Sequence, residues 1–573
     1  MKTLKALLSS LFLLSSSLLF GQNWLWGAQG VPYGLKPVVS CQVATDTKGN
    51  AFITGEFYPA YSFGSDTLVD STISSNSGIY LVKYNSAGTI QWAQQFVCNI
   101  GYHPSIATDV SNNVIIYGGF SSNITFGSFN LTGINTDFFL AKCDNNGNPK
   151  WAIAGNQIGG GTSVYSNPNS VVTDSLKNIF ITGYFTGTMK FGTATLVSSA
   201  GGYTIFIAKY DSNGNFLWVK QGVNLSYYNY NEQSCYIATD KKGNSYITGF
   251  YRDSIIFGND TLTPPLLNNG GGGNVFLLKY DPSGNQVWAR QSLIPKANCG
   301  GSGTTVTTDN VGNVYLAGSY AGPISFGAYT INGAGVYFVK YNSAGTALWA
   351  QGSNYSYTGY ALHSDGNDFI YLAGGGGMDS ITFGSLTLNG NPNGFFNSFI
   401  VKFDTSGNAI CGSMLYNGNH QYPVSSAVDE TGNYIYLASI FFDKDIYCGP
   451  DTLVGSGQQA PFVARWQNCG LESINEIKTD NEKLSVFPNP FTNSTTIQVE
   501  SGKYTMPSQN AMAGKEAQSY LELYDLTGQK LKSISFTGTT YSLSAEGLAK
   551  GMYFIKVLDK DKNVVGTSKI VVQ

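Results

Sequence analysis

ATDTKGNAFITG, residues 44–55, is the phrase on which the fold turns, because the chain writes it six more times. It returns as ATDVSNNVIIYG (107–118), VTDSLKNIFITG (172–183), ATDKKGNSYITG (238–249), TTDNVGNVYLAG (307–318), HSDGNDFIYLAG (363–374) and, more loosely, AVDETGNYIYLAS (427–439). The aspartates in it are Asp46, Asp109, Asp174, Asp240, Asp309, Asp365 and Asp429, spaced 63, 65, 66, 69, 56 and 64 residues apart. A steady period of this kind marks a repeat architecture, in which each unit buries its apolar face against its neighbours.

Working outward, each aspartate is followed 17 to 19 residues later by an aromatic–glycine step, from Phe63-Gly64 to Phe383-Gly384, with Cys448-Gly449 in the seventh unit. An alternating run with one basic residue comes next: YLVKYN (80–85), FLAKCD (139–144), FIAKYD (206–211), FLLKYD (276–281), YFVKYN (337–342), FIVKFD (399–404) and FVARWQ (462–467). Nine residues beyond the basic residue stands Trp92, Trp151, Trp218, Trp288 or Trp349, and in the sixth unit Cys411. The alternation and the wealth of Val, Ile, Phe and Tyr read as strands. D-x-x-G-N reads as a tight turn, since Asp caps its own turn and Gly or Asn accepts positive φ. The sum is about four short antiparallel strands per unit, one propeller blade. The residues in excess of a blade fall in two variable loops, before the Asp and between the aromatic–glycine step and the basic strand. We therefore expect an all-β chain with a seven-bladed β-propeller over 22–470, six or eight blades being the alternatives.

D-x-x-G-N-x-Y-I-T-G, F-G and F-L-x-K-Y-D together resemble the bacterial SBBP family of β-propeller repeat proteins over most of residues 23–470. The resemblance implies a secreted or surface propeller without a defined activity. Two orphans suggest how the ring closes. The strand around Arg465 has Ile474 where a Trp should follow, and NWLWGAQG (23–30) carries Trp26 with no basic strand before it. The N-terminal strand is expected to complete the last blade and remove two sheet edges.

Charged residues are 12% of the chain, against roughly 25% in average soluble proteins, while hydrophobic residues are 42%. The polar surface must then be built from Asn, Ser, Thr, Gly and Tyr. A net charge of −3 gives no electrostatic case for nucleic acid or an anionic membrane. Residues 1–21, with Lys2, Lys5 and an apolar, serine-rich run to Phe20, read as a signal peptide. No later stretch is long and apolar enough to be a transmembrane segment. Of the eight cysteines, Cys41 with Cys235 and Cys98 with Cys299 fall in distant units; Cys411, Cys448 and Cys469 cluster and are the disulfide candidates.

The composition changes at 471–483, a charged linker without aromatics. Residues 484–573 read as short strands with Pro and Gly turns, a small Ig-like β-sandwich with 501–519 as a loop. Pro488-Asn489-Pro490, Tyr524-Asp525-Leu526-Thr527-Gly528, Gly551-Met552-Tyr553 and the strand from Lys569 to Gln573 are similar, in order, to the Por-type C-terminal sorting domain of type IX secretion cargo. The resemblance implies type IX secretion machinery as a partner, and release or surface attachment after export to the periplasm.

Chemistry is sparse. His103, His363 and His420 share no metal-ligand spacing, and no cysteines stand at C-x-x-C. Gly270–Gly273 and Gly374–Gly377 lack the Lys-Ser/Thr of a phosphate loop and read as flexible loops. The repeated aspartates lack the further carboxylates of a calcium loop and read as turn caps. The repeated Lys reads as a structural residue on a polar strand face. The sequence thus offers no catalytic, cofactor-binding or metal residues. The Tyr-rich segments LSYYNYNEQ (225–233) and SNYSYTGY (353–360) suit carbohydrate or protein contact. The reading is a secreted or outer-membrane surface binding scaffold whose loops contact a glycan or protein ligand. The alternative is a secreted polysaccharide hydrolase or lyase with its site in the propeller channel.

Overall fold

The structure is a computed structural model. It describes residues 24–572 apart from 34–39, 59, 70–77, 99–100, 158–163, 166–169, 199–202, 225–235, 253, 265–272, 295–298, 355–356, 367, 378–379, 390–395, 419–421, 443–444, 470–483, 500–517, 525–529 and 561–563. The signal peptide, the linker and the first Tyr-rich segment lie outside these residues, as do 355–356 of the second, whose residues 357–360 belong to the strand Tyr357–Ser364 and not to a loop. The chain divides into two compact units, Met1–Gln467 and Asn468–Gln573.

Every described element of regular structure is a strand. Among the described residues of the first unit, seven sheets share one plan of four antiparallel strands, in sequence order in six of them. The first sheet is Cys41–Thr45, Ala51–Phe57, Gly78–Tyr84 and Ile90–Phe96. Its second and third strands are buried at every residue, while the fourth is only partly covered. Those inner strands are covered on both faces, so even their polar residues, Thr54, Glu56 and Lys83, are buried. The first strands of successive sheets touch one another, and Cys41–Thr45 also touches Tyr422–Val428 of the seventh. This is β-propeller architecture.

The seventh sheet draws on both ends of the unit. Tyr422–Val428, Tyr434–Phe441 and Ala460–Gln467 supply three strands, and Trp24–Tyr33 supplies the fourth. Trp26 pairs with Arg465 in the register that joins Trp151 to Lys142 in the second sheet.

The Phe–Gly step does more than the sequence indicated. It is the turn of a two-stranded ribbon between the second and third strands, as in Ala60–Phe63 with Asp66–Val69 or Ile324–Phe326 with Tyr329–Ile331. Gly64 sits at φ 59°, where a β-carbon would be strained and would also meet Ile90. The preceding Phe63 is fully buried, its ring 5.1 Å from that of Tyr80, and burying such a ring contributes about 1.5–3 kcal/mol. The ribbon also reaches the neighbouring sheet: Trp24–Tyr33 pairs Ala60–Phe63, and Phe216–Asn224 pairs Ile255–Phe257. The strand that leads into the Phe–Gly step therefore joins neighbouring sheets at the rim, and the residues after the step, taken for a variable loop, begin with the ribbon's second strand.

Two further expectations change. Gly374–Gly376 belong to the strand Phe369–Gly376, paired with Asn397–Phe399, so this glycine run is sheet and not loop. Cys411 and Cys469 are disulfide-bonded, but Cys448 is a buried free thiol. It fills the ribbon's Phe position and packs where a β-carbon on Gly27 would lie 2.7 Å away. Cys41, Cys98, Cys143 and Cys299 are buried thiols outside any disulfide.

The second unit has a three-stranded sheet (Leu484–Phe487, Ser494–Val499, Thr540–Ser544) and a four-stranded sheet (Lys530–Thr537, Gln518–Tyr524, Gly551–Leu558, Val564–Val572). They share a core that includes Phe491, Ile497, Leu521, Ile555 and Ile570. Gln518 and Ser519, read as loop, begin a strand.

Candidate functional site

Each repeat turn is closed by its aspartate. In the first, Asp46 Oδ1 accepts the backbone N–H groups of Lys48 (3.0 Å) and Asn50 (2.9 Å), and Oδ2 accepts Asn50 Nδ2 (2.7 Å). Asp109, Asp174, Asp240 and Asp309 repeat the pattern. Asp365 and Asp429 keep the Oδ1 bonds to their own turns. Capping is thus the observed work of these side chains. Burial alone would raise the carboxyl pKa of Asp46. The bonds from Asn50, Asn145 and the turn N–H groups outweigh it and hold the pKa below its usual value. At Asp109 the same burial is outweighed chiefly by Lys142 and Asn113.

The threonine before five of the seven aspartates links the sheets. Thr45 Oγ1 donates to Val428 O (2.9 Å), Thr108 to Thr45 O (2.7 Å), Thr173 to Thr108 O (2.7 Å), Thr239 to Thr173 O (3.0 Å) and Thr308 to Thr239 O (2.9 Å). Sequence reading passed over these threonines, although the recurring Thr-Asp pair was their signal.

A cavity of about 710 Å³ opens beside them, lined by residues of all seven repeats, including the aspartates and threonines. That volume suits a small ligand. The lining is mostly hydroxyl, amide, carboxylate and lysine, with Val110 and Val428 and no aromatic side chain among the described residues. A glycosidase acid needs a carboxyl with a raised pKa beside a second carboxylate. The resolved shifts at Asp46 and Asp109 run the other way.

The repeated Lys and Trp form a clasp. Lys142 Nζ and Trp151 Nε1, cross-strand partners, both donate to Ser212 O in the hairpin of the next sheet, at 3.1 and 3.3 Å. Lys209 and Trp218 meet on Pro282 O, Lys279 and Trp288 on Ser343 O, and Lys340 and Trp349 on Thr405 O. Arg465 and Trp26 meet on Ser86 O of the first sheet. The hairpin glycine completes the clasp. Gly214, at φ 82°, lies against the Trp151 ring, and a β-carbon there would come 3.1 Å from it. Lys142, Lys209 and Lys279 are consequently buried between sheets, and Lys340 partly so, rather than lying on a polar strand face.

Lys142 also pairs with Asp109 at 2.8 Å, both side chains almost fully buried. Lys142→Ala is expected to destabilise the propeller by about 3–5 kcal/mol, because it leaves a buried carboxylate without its cation. Urea titration checks this. Lys142→Met with Asp109→Asn should recover part of the loss, and an unchanged single-variant midpoint would contradict the clasp.

Of the three histidines, His420 lies outside the described residues, and of His103 only the backbone is described. His363 occupies a position held by Ala44, Ala107 and Ala238 in other repeats. Its Nε2 is enclosed without a hydrogen-bond partner. Burial lowers its pKa to about 4 despite a backbone bond at Ser426. The depressed value means that the neutral ring stabilises the fold above pH 6.5 and that this contribution is lost as pH falls toward 4. The loss at the acid end is about 3 kcal/mol. Melting curves of the native chain and His363→Ala, compared from pH 7 to 4, should converge on acidification; parallel curves would contradict the assignment.

Residues 485–573 match the family model of the secretion system C-terminal sorting domain. This match implies a type IX secreted protein, released or held at the cell surface. The chain is 25% identical to an uncharacterised WD repeat-containing protein of Acanthamoeba polyphaga mimivirus, over 66% of this chain and 31% of that relative. The chain thus spans under a third of the curated relative it matches. Solved structures with a similar path include a protein of unknown function from Dyadobacter fermentans (9% identity, 78% of this chain and 99% of that one, TM-score 0.39). Two more are a Fusarium graminearum α-L-arabinofuranosidase bound to arabinobiose (12%, 60% and 90%, 0.36) and the Dos1 propeller (7%, 78% and 97%, 0.34). Among the described residues no helix is long and apolar enough to cross a membrane.

Proposed function

We propose that this protein is a secreted or cell-surface binding scaffold, a seven-bladed propeller of SBBP type closed by its N-terminal strand, whose loops contact a glycan or protein ligand. An Ig-like tail directs its export. The supporting observation is that the polar grammar of the repeat is used up internally. The aspartates close turns, and the basic residues and tryptophans clasp the next sheet. What varies between repeats is loop sequence, and varied loops on a rigid frame are where recognition belongs. A hydrolase or lyase would need a pair of carboxyls with separated pKa values, and the lowered values at Asp46 and Asp109 do not favour it.

The test is a glycan array with the 22–470 fragment, read for retention and for cleavage products. Retention without turnover is the expected result. Cleavage that survives repurification would replace the binding reading with the enzymatic one.

A further inference from the structure

A groove of about 520 Å³ lies between the fourth and fifth sheets on the side wall, away from the aspartate turns. Arg290 in the strand Gln286–Gln291 lines it, with Leu262, Leu293, Thr261, Thr346 and Tyr341. The Arg290 guanidinium lies 5.4 Å from the Trp288 ring centre. Its Nε donates to Gly345 O (2.7 Å), Nη2 to Ala344 O (3.0 Å) and Nη1 to Ala289 O (2.7 Å). A guanidinium has five N–H groups in a fixed fork, so two are left over from these bonds.

The clasp does not call for an arginine here. The equivalent residues, two beyond each repeat Trp, are Gln94, Ile153, Lys220 and Gln351. Gln351 makes the corresponding bond to the next hairpin, donating to Gly407 O at 2.7 Å. Arginine therefore adds a planar cation that the frame does without in a neighbouring repeat. Among the described residues no Asp or Glu side chain lines the groove. Around the cation, Leu262 and the half-exposed Leu293 give an apolar surface, and Thr261 and Thr346 give short polar rims.

We infer that this groove binds a carboxylate-bearing saccharide: Arg290 holds the carboxylate through its remaining N–H groups, and the leucines take the apolar face of the sugar. A fork of donors matches a carboxylate's two oxygens, and the volume lies in the range of small-ligand clefts. An acidic peptide shares the charge. The concave apolar floor with hydroxyls at its edge favours a sugar over an extended chain. The inference rests on the reading of the propeller as a glycan-contacting scaffold.

The experiment is calorimetric titration of the leaderless full chain with digalacturonate, a glucuronate-containing disaccharide, a neutral galactose disaccharide and an acidic pentapeptide. The uronate disaccharides should bind most tightly. Arg290→Gln, which can keep the bond to Gly345 as Gln351 does to Gly407, should leave the melting temperature unchanged and weaken uronate binding about tenfold or more. Equal binding of the neutral sugar, or affinity unchanged in Arg290→Gln, would overturn the carboxylate site while leaving glycan binding intact. Preference for the peptide would overturn the saccharide assignment. Absence of uronate binding alongside retention of other glycans on the array defeats this inference alone, whereas an empty array defeats the broader reading.

Discussion

A chain lacking residues 22–30 is expected to melt about 10 °C or more below the complete protein. Trp24 and Trp26, 3% and 7% exposed, are lost with these residues. Truncating a buried tryptophan costs about 3–5 kcal/mol, and for large domains each kcal/mol moves the melting point by about 2 °C. The pairing of residues 24–29 with 462–466 disappears as well, together with the Trp26 bond to Ser86 O. Ala460–Gln467 becomes an open edge, so the shortened chain should also associate. Trp26→Ala alone should reproduce part of the drop without exposing that edge. An unchanged melting curve for the deletion would contradict closure by the N-terminal strand.

What could be read in advance was whatever local chemistry determines. Asp46 through Asn50 is a turn because its donors and acceptors lie within five residues, and that much is visible in D-x-x-G-N. The spacing of nine between Lys142 and Trp151 is visible as a hairpin. That both side chains end on Ser212 O is not, because the acceptor belongs to the next sheet, 70 residues beyond Lys142 and 61 beyond Trp151. The ribbon around Phe63-Gly64 escaped because its strands are only four residues long and its partner, Trp24–Tyr33, lies far off in sequence. Gly374–Gly376 misled for a related reason: glycine lowers strand propensity, yet pairing with Asn397–Phe399 holds the segment in the sheet. The pairing of Trp26 with Arg465 was legible as two gaps in an otherwise regular pattern. The Arg290 groove was not, since its walls come from separate repeats.

The tail should decide where the protein goes and contribute little to what the propeller does. It is a compact unit with its own core, and the sorting-domain match falls within it at residues 485–573. None of the seven repeat units extends into it. Removing everything after Gly470 is therefore expected to leave the propeller's melting transition in place while abolishing delivery, and residues 471–573 placed behind a signal-bearing reporter should export that reporter. The decisive measurement is quantitative fractionation of the complete and truncated chains in a host with type IX secretion. The account predicts the complete chain at the surface or in the medium and the truncated chain, folded, in the periplasm. Equal amounts of both outside the cell would contradict it.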